Sequence, residues 1–325
     1  MSAISVSHLS KYYKVYKKES GFLGSVKSLI WRKYETVKAV DNISFDIKEG
    51  ELIGFIGPNG AGKTTTLKCL SGLLYPTGGK ISVLEFKPQE RKNDFLKQIS
   101  LVMGQKNQLW WDLPAIETIN LNKEIYDVDD KKYKEVLQEL SKLLEVEDFL
   151  DIPVRKLSMG QRMKCELIAA LVHSPKVLFL DEPTIGLDVV MQKKLREFIK
   201  DYNEKYKATI ILTSHYMGDV EALCKRVIIL NFGKILFDGG LTDLIRKYAP
   251  YKLISLVLEK NVDSKVFSKA GILKTFDFPF IVLKVPFKNS SNIVSKILKD
   301  FSVHDLNIED PDIEDVIREI FLKNA

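Results

Sequence analysis

The chain has 325 residues, 45% of them apolar and 28% charged, with a mean hydropathy of −0.06. That profile excludes a disordered chain, a collagen-like fibre and a disulfide scaffold. No apolar run reaches the roughly 18–20 residues that cross a bilayer. The net charge is +6 and one stretch carries all of it: residues 11–34 hold seven basic side chains against Glu19, so no nucleic-acid partner is expected.

In chain order, the start MSAISVSHLSKYYK lacks the apolar core of a leader peptide. Gly21–Tyr34 is expected to form a short basic amphipathic helix, with Phe22, Leu23, Val26, Leu29 and Ile30 within one arc. Such an element suits an anionic membrane surface or the flank of a membrane protein. Two strands, Asn42–Ile47 and Glu51–Ile56, join through Lys48-Glu49-Gly50. A glycine-rich loop and a helix over Thr64–Leu74 follow. Lys131–Leu150 reads as a helix with Tyr133, Val136, Leu137, Leu140, Leu143 and Leu144 on one face, and another helix begins at Ser158. Apolar, β-branched strands at Lys176–Asp181, Ala208–Ser214 and Arg226–Leu230 alternate with helices, which implies a mostly parallel sheet. Asn231-Phe232-Gly233 turns into Lys234–Phe237. Past a boundary near Tyr248–Tyr251 come strand (Lys252–Leu258), helix (Asp263–Ala270), strands (Leu273–Phe276, Phe280–Val285), helix (Ser291–Asp300), strand (Val303–Ile308) and helix (Ile313–Leu322). Cys69, Cys165 and Cys224 are isolated and read as buried small hydrophobes in a reducing compartment.

Gly57-Pro58-Asn59-Gly60-Ala61-Gly62-Lys63-Thr64 matches GxxxxGK[ST] between a strand and a helix. Its glycines let successive N–H groups point at phosphate oxygens, and the helix start adds the positive end of its dipole. Lys63 is expected to reach the β- and γ-phosphates, and the Thr64 hydroxyl to ligate Mg²⁺. Val177-Leu178-Phe179-Leu180-Asp181-Glu182 is a buried strand ending in two carboxylates. Asp181 suits a contact to Mg²⁺, and Glu182 suits polarising an attacking water.

Leu157-Ser158-Met159-Gly160-Gln161 resembles the LSGGQ signature of ATP-binding-cassette (ABC) ATPases, with Met159 in place of the first glycine. With the phosphate loop and the acidic strand end in family order, residues 1–240 resemble a complete ABC nucleotide-binding domain. The implied fold is α/β, a P-loop NTPase with a mostly parallel sheet, an antiparallel β subdomain and a helical subdomain at about 105–157. An insertion covers 15–37, and a small α+β domain covers 251–325. The resemblance implies ATP contacts from Gly57 through Thr65, adenine stacking by Tyr13 (Tyr12 competes), and a Gln105 that contacts the metal (Gln108 competes). Asp188 matches the D-loop and His215 the switch histidine; Glu182, His215, Lys63 and Gln105 form the catalytic set. Ser158, Gly160 and Gln161 would close the ATP site of a second copy, so two copies would trap ATP between them.

The resemblance also implies integral membrane permease subunits and a place on the cytoplasmic face of the cell membrane. Trp110-Trp111, beside Gln105, reads either as a groove edge for such a subunit or as packing between subdomains. The ending Glu309-Asp310-Pro311-Asp312-Ile313-Glu314-Asp315-Val316-Ile317 is similar to that of exporter ATPases. Alternatives are a soluble ABC ATPase acting on ribosomes or nucleic acid, and an importer ATPase. Cargo is not readable in this chain.

Overall fold

The computed structural model describes residues 2–16, 34–269 and 271–323. They divide into two compact units that meet in sequence at Asp238 and Gly239.

The first unit opens with two long strands, β1 (Ser2–Tyr16) and β2 (Tyr34–Lys48), followed by β3 (Leu52–Ile56), α1 (Lys63–Leu70) and β4 (Gly78–Val83). β2, β1 and β4 form an antiparallel sheet. Ile43, Phe45 and Ile47 are buried in β2 while their neighbours are exposed, the period of two of a sheet with one face on a core. Then come β5 (Ile99–Met103), α2 (Ala115–Ile125), α3 (Asp130–Leu144), α4 (Met159–Leu171), β6 (Val177–Asp181), α5 (Val189–Tyr206), β7 (Thr209–Thr213), α6 (Met217–Leu223), β8 (Arg226–Asn231) and β9 (Lys234–Gly240). A six-stranded sheet runs β5-β6-β7-β3-β8-β9, parallel from β5 to β8. Every residue of β6 and β7 is buried, as expected where helices cover both faces. One core, including Ile4, Phe45, Phe55 and Phe179, joins the two sheets.

Several local expectations change. The expected strand at Asn42–Ile47 is the inner part of the longer β2, and Lys48-Glu49-Gly50 carries the chain from the antiparallel sheet to β3 in the parallel one. The helix expected to reach Leu74 stops at Leu70, and Gly72 takes φ +74°. The helix expected to reach Leu150 stops at Leu144, where Glu145 adopts a left-handed φ of 52°. The amphipathic helix expected over Gly21–Tyr34 lies outside the described residues, except for Tyr34. That residue is in strand β2, opposite Tyr16, so both ends of the expected insertion are hairpin strand.

The second unit holds α7 (Leu241–Tyr248), β10 (Tyr251–Leu258), β11 (Ile272–Asp277), β12 (Phe280–Pro286), α8 (Ser290–Asp300), β13 (Val303–Glu309) and α9 (Ile313–Lys323). The helix expected over Asp263–Ala270 is a 3₁₀ segment over Ser264–Lys269. The antiparallel order β11-β12-β10-β13 is that of a split βαββαβ unit. One sheet face packs Ile254, Leu256, Ile281 and Leu283 with Phe267 and Ile297. On the other face, α9 is tied down by Lys284–Glu319 at 3.2 Å and Lys274–Asp315 at 3.3 Å.

Candidate active site

Strand register builds the site. Met103 pairs with Asp181, Asp181 with Thr213, and Thr213 with Phe55. The loops after β5, β6, β7 and β3 therefore leave the sheet at one edge, the carboxyl edge where open α/β sheets bind ligands. Those loops carry Gln105, Glu182, His215 and the phosphate loop.

The phosphate loop wraps the start of α1. Gly62 has φ +104°, and a Cβ there would lie 2.3 Å from the Ala39 carbonyl oxygen, so only glycine fits between β2 and the loop. The Lys63 ammonium is buried and donates to the carbonyls of Gly57 (2.6 Å) and Pro58 (3.2 Å). Burial holds Lys63 below the ordinary lysine range, opposed by the charges of Glu182 and Asp181. Thr64 and Thr65 are half-buried at the helix start.

Across from the loop, Gln105, Glu182 and His215 form one cluster. Gln105 Nε2 donates to Glu182 Oε2 at 2.7 Å, and His215 Nε2 lies 2.5 Å from Glu182 Oε1. Both carboxylate oxygens thus have a side-chain partner. Glu182 takes φ +57°, and its N–H donates to the Thr213 carbonyl (3.1 Å) and hydroxyl (3.0 Å). The same hydroxyl donates to Asp181 Oδ1 at 2.7 Å. A Cβ on Gly104 would lie 2.1 Å from the Glu182 carbonyl oxygen, so the close approach that delivers Gln105 requires glycine. Gln108, the competing candidate, donates to the Leu101 carbonyl instead. The Thr64 hydroxyl, an Asp181 carboxylate oxygen and the Gln105 amide oxygen are hard oxygen donors, a set that fits Mg²⁺.

Ser158 caps α4. Its Oγ accepts from the Gln161 N–H at 3.2 Å, and Gln161 Oε1 accepts from the Ser158 N–H at 2.9 Å, a reciprocal box that fixes an exposed helix start. Met159, in the position of the missing glycine, packs on Gly186, and the nearest atoms to Gly160 belong to Met191. Met159 thus joins the start of α4 to the loop before α5. Asp188 caps α5 by accepting from the Met191 N–H at 2.9 Å. The Tyr12 hydroxyl donates to Asp41 at 2.6 Å, and the Lys11 ammonium lies over the half-buried Tyr13 ring at 5.1 Å.

Two residues escaped the sequence reading. Asp219 is 0% exposed and accepts from Thr184 Oγ1 (2.6 Å), Ser214 Oγ (2.7 Å) and Arg196 (2.9 Å), which ties together the segments carrying Glu182 and His215. Glu166, 3% exposed, accepts from the Gln108 N–H at 3.3 Å. With Gln105, Met159 and Gly186 it lines a cleft of about 210 Å³. No local motif marks either one; a carboxylate inside the apolar run of α4 was the available signal for Glu166.

Burial pushes the Glu166 carboxyl up to about 7, against the Gln108 hydrogen bond and the Arg162 charge. A carboxyl raised in the folded state holds its proton more tightly than in the unfolded chain. Its contribution is therefore most favourable below the ordinary value of 4.5 and is lost as pH rises to about 7. Glu166→Gln keeps an acceptor for Gln108 and removes the charge. Urea unfolding should show the variant more stable by about 2–3 kcal/mol at pH 8, with the gap nearly closed close to pH 5. An equal gap at both pH values would exclude this account.

The family profile described as "ABC transporter" matches residues 40–185, and "EvrA-like ABC transporter, C-terminal domain" matches 250–309. The chain is 34% identical over 230 residues to the ABC transporter ATP-binding protein NatA of Bacillus subtilis, covering 71% of this chain and 93% of NatA. It is 30% identical over 314 residues to the methionine import ATP-binding protein MetN 2 of Oceanobacillus iheyensis, covering 94% and 85%. A dimeric post-hydrolysis structure of the ATP-binding cassette MJ0796, bound to ADP and Pi, superposes with a TM-score of 0.60 at 25% identity. It covers 73% of this chain and 98% of that one.

Proposed function

The chain belongs to the ATP-binding subunits of ABC transporters, and from that membership we propose that it drives export through separate membrane subunits by ATP-dependent pairing of two copies. The observation that carries the reading is the Gln105–Glu182–His215 cluster on the edge that bears the phosphate loop. ATP lies with its phosphates against the N–H groups of Gly57 to Thr65 and the Lys63 ammonium, and its adenine on Tyr13. Thr64, Asp181 and Gln105 would hold Mg²⁺, which would supply charge neutralisation at the phosphoryl oxygens. Glu182 orients and polarises the attacking water. His215 and Gln105 hold its carboxylate in place, so no side-chain search precedes the reaction. The start of α4 is exposed, and Ser158, Gly160 and Gln161 of a second copy complete the phosphate site there. Asp188 shapes the seam between copies.

The membrane partner is proposed to dock beside Gln105. Trp110 and Trp111 are 54% and 50% exposed, which favours a groove edge over packing between subdomains. A neighbouring groove of about 320 Å³ is lined by Leu73, Leu101, Gln108, Asn122 and Tyr126. Among the described residues no helix is long and apolar enough to cross a membrane. The work site proposed is the cytoplasmic face, with the basic stretch 11–34 against an anionic surface. Replacing Trp110 and Trp111 by Ala should leave hydrolysis by the isolated chain within about twofold. Stimulation by co-purified membrane subunits should fall about tenfold, and unchanged stimulation would remove the docking assignment.

Export rests on the tail, whose pattern is similar to that of exporter ATPases. Import is the second reading, because MetN 2 aligns over 94% of this chain. Inside-out vesicles carrying the assembled transporter decide between them: ATP-driven uptake supports export, and ATP-driven release supports import.

A further inference from the structure

The second unit contains a cavity of about 690 Å³, within the range of about 300–1,000 Å³ typical of small-molecule sites. One wall is a single face of α7, with Thr242, Ile245 and Arg246 at helical spacing, continued by the cap residue Ala249. Leu244, fully buried, lies off that face. The floor is the end of the sheet, where Tyr251 pairs with Pro286, and the Phe287 N–H donates to the Pro250 carbonyl at 3.1 Å. Phe287 is 54% exposed, an aromatic ring held open at the rim.

Charge at this cavity is one-sided. Lys252 is neutralised by Asp310 at 2.7 Å and lies over the Phe287 ring at 5.4 Å. Arg246 and Lys288 also line the cavity, and among the described residues neither has a carboxylate partner within ion-pair distance. An apolar chamber with two uncompensated cations at its edge complements a molecule with an apolar body and one anionic head.

We propose that this cavity is a binding site for a small amphipathic anion, the head held by Arg246 and Lys288 and the body against Ile245, Ala249, Tyr251 and Phe287. The test uses the full chain, with decanoate as the probe, below its micelle concentration, in isothermal titration. Decanol and decyltrimethylammonium supply the same body with a neutral and a cationic head. Decanoate should bind saturably at one per chain, with decanol and the cation at least about tenfold weaker. The double variant Arg246→Glu/Lys288→Glu should weaken decanoate by roughly tenfold or more and leave decanol unchanged. Thr242→Trp, on the exposed side of α7, should fill the mouth and weaken every probe without touching the core. Absence of saturable decanoate binding, or binding unaffected by both variants, would overturn the site. Retention on phosphatidylglycerol vesicles that the double variant loses, with no decanoate binding in solution, would assign the cations to a bilayer lipid and overturn the small-ligand proposal.

Discussion

Glu182→Gln should lower ATP turnover by about 10²–10⁴-fold while nucleotide binding survives. The substitution keeps the shape that Gln105 and His215 hold at 2.7 and 2.5 Å. It removes the negative charge and basicity that would take a proton from the attacking water. The hydrogen bonds of Lys63 to the Gly57 and Pro58 carbonyls stay in place, although the Glu182 charge that favours its ammonium form is lost. Trapped between two copies, uncleaved ATP should hold the variant as a dimer. Phosphate release measures the first effect, and size-exclusion chromatography with light scattering in Mg²⁺ and ATP measures the second. Hydrolysis at the unsubstituted rate would take the water-activating role away from Glu182. A dead enzyme that stays monomeric with ATP would contradict the shared-site mechanism.

Asp219→Ala is the largest expected stability loss. It would strip the acceptor from Thr184, Ser214 and the mostly buried Arg196 guanidinium at once. An uncompensated buried charge costs about 3–5 kcal/mol, or roughly 10 °C in melting temperature for a unit of this size. Asp219→Asn keeps one oxygen and the side-chain volume and should cost about 1–3 kcal/mol. That milder variant separates structure from positioning. Ser214 precedes His215, and Thr184 follows Glu182 by two residues. A folded Asn variant should therefore lose turnover beyond its loss of stability, with ATP binding unchanged. Turnover that tracks only the fraction folded would reduce Asp219 to a structural tie.

The two ends of the chain differ in how far their patterns could be read. In the second unit the strands and the helices at Ser290–Asp300 and Ile313–Lys323 follow apolar periodicity closely. The expected helix near Phe267 tightened into 3₁₀, since its run is only six residues long. At the other end β1 and β2 run for 15 residues each. The outer half of β2 is exposed and that of β1 mostly half-buried, so alternation fades there, and pairing across the hairpin maintains the strands. Trp110 and Trp111 were open to two readings because apolar character alone does not tell a core from a docking edge.

The phosphate loop, the acidic end of β6 and the cap at Ser158 were written in the sequence itself, because each depends on backbone geometry and residue type within a few positions. The Asp219 ties, the Glu166 bond to the Gln108 amide and the cavity beside α7 were decided by tertiary structure. Apart from Ser214, their partners lie 23, 35 and 58 residues away, or on the α7 and sheet walls that only packing of the second unit brings together. Hydrogen bonds and cavities of this kind arise from strand register and packing, and a linear pattern of residue types carries no record of either.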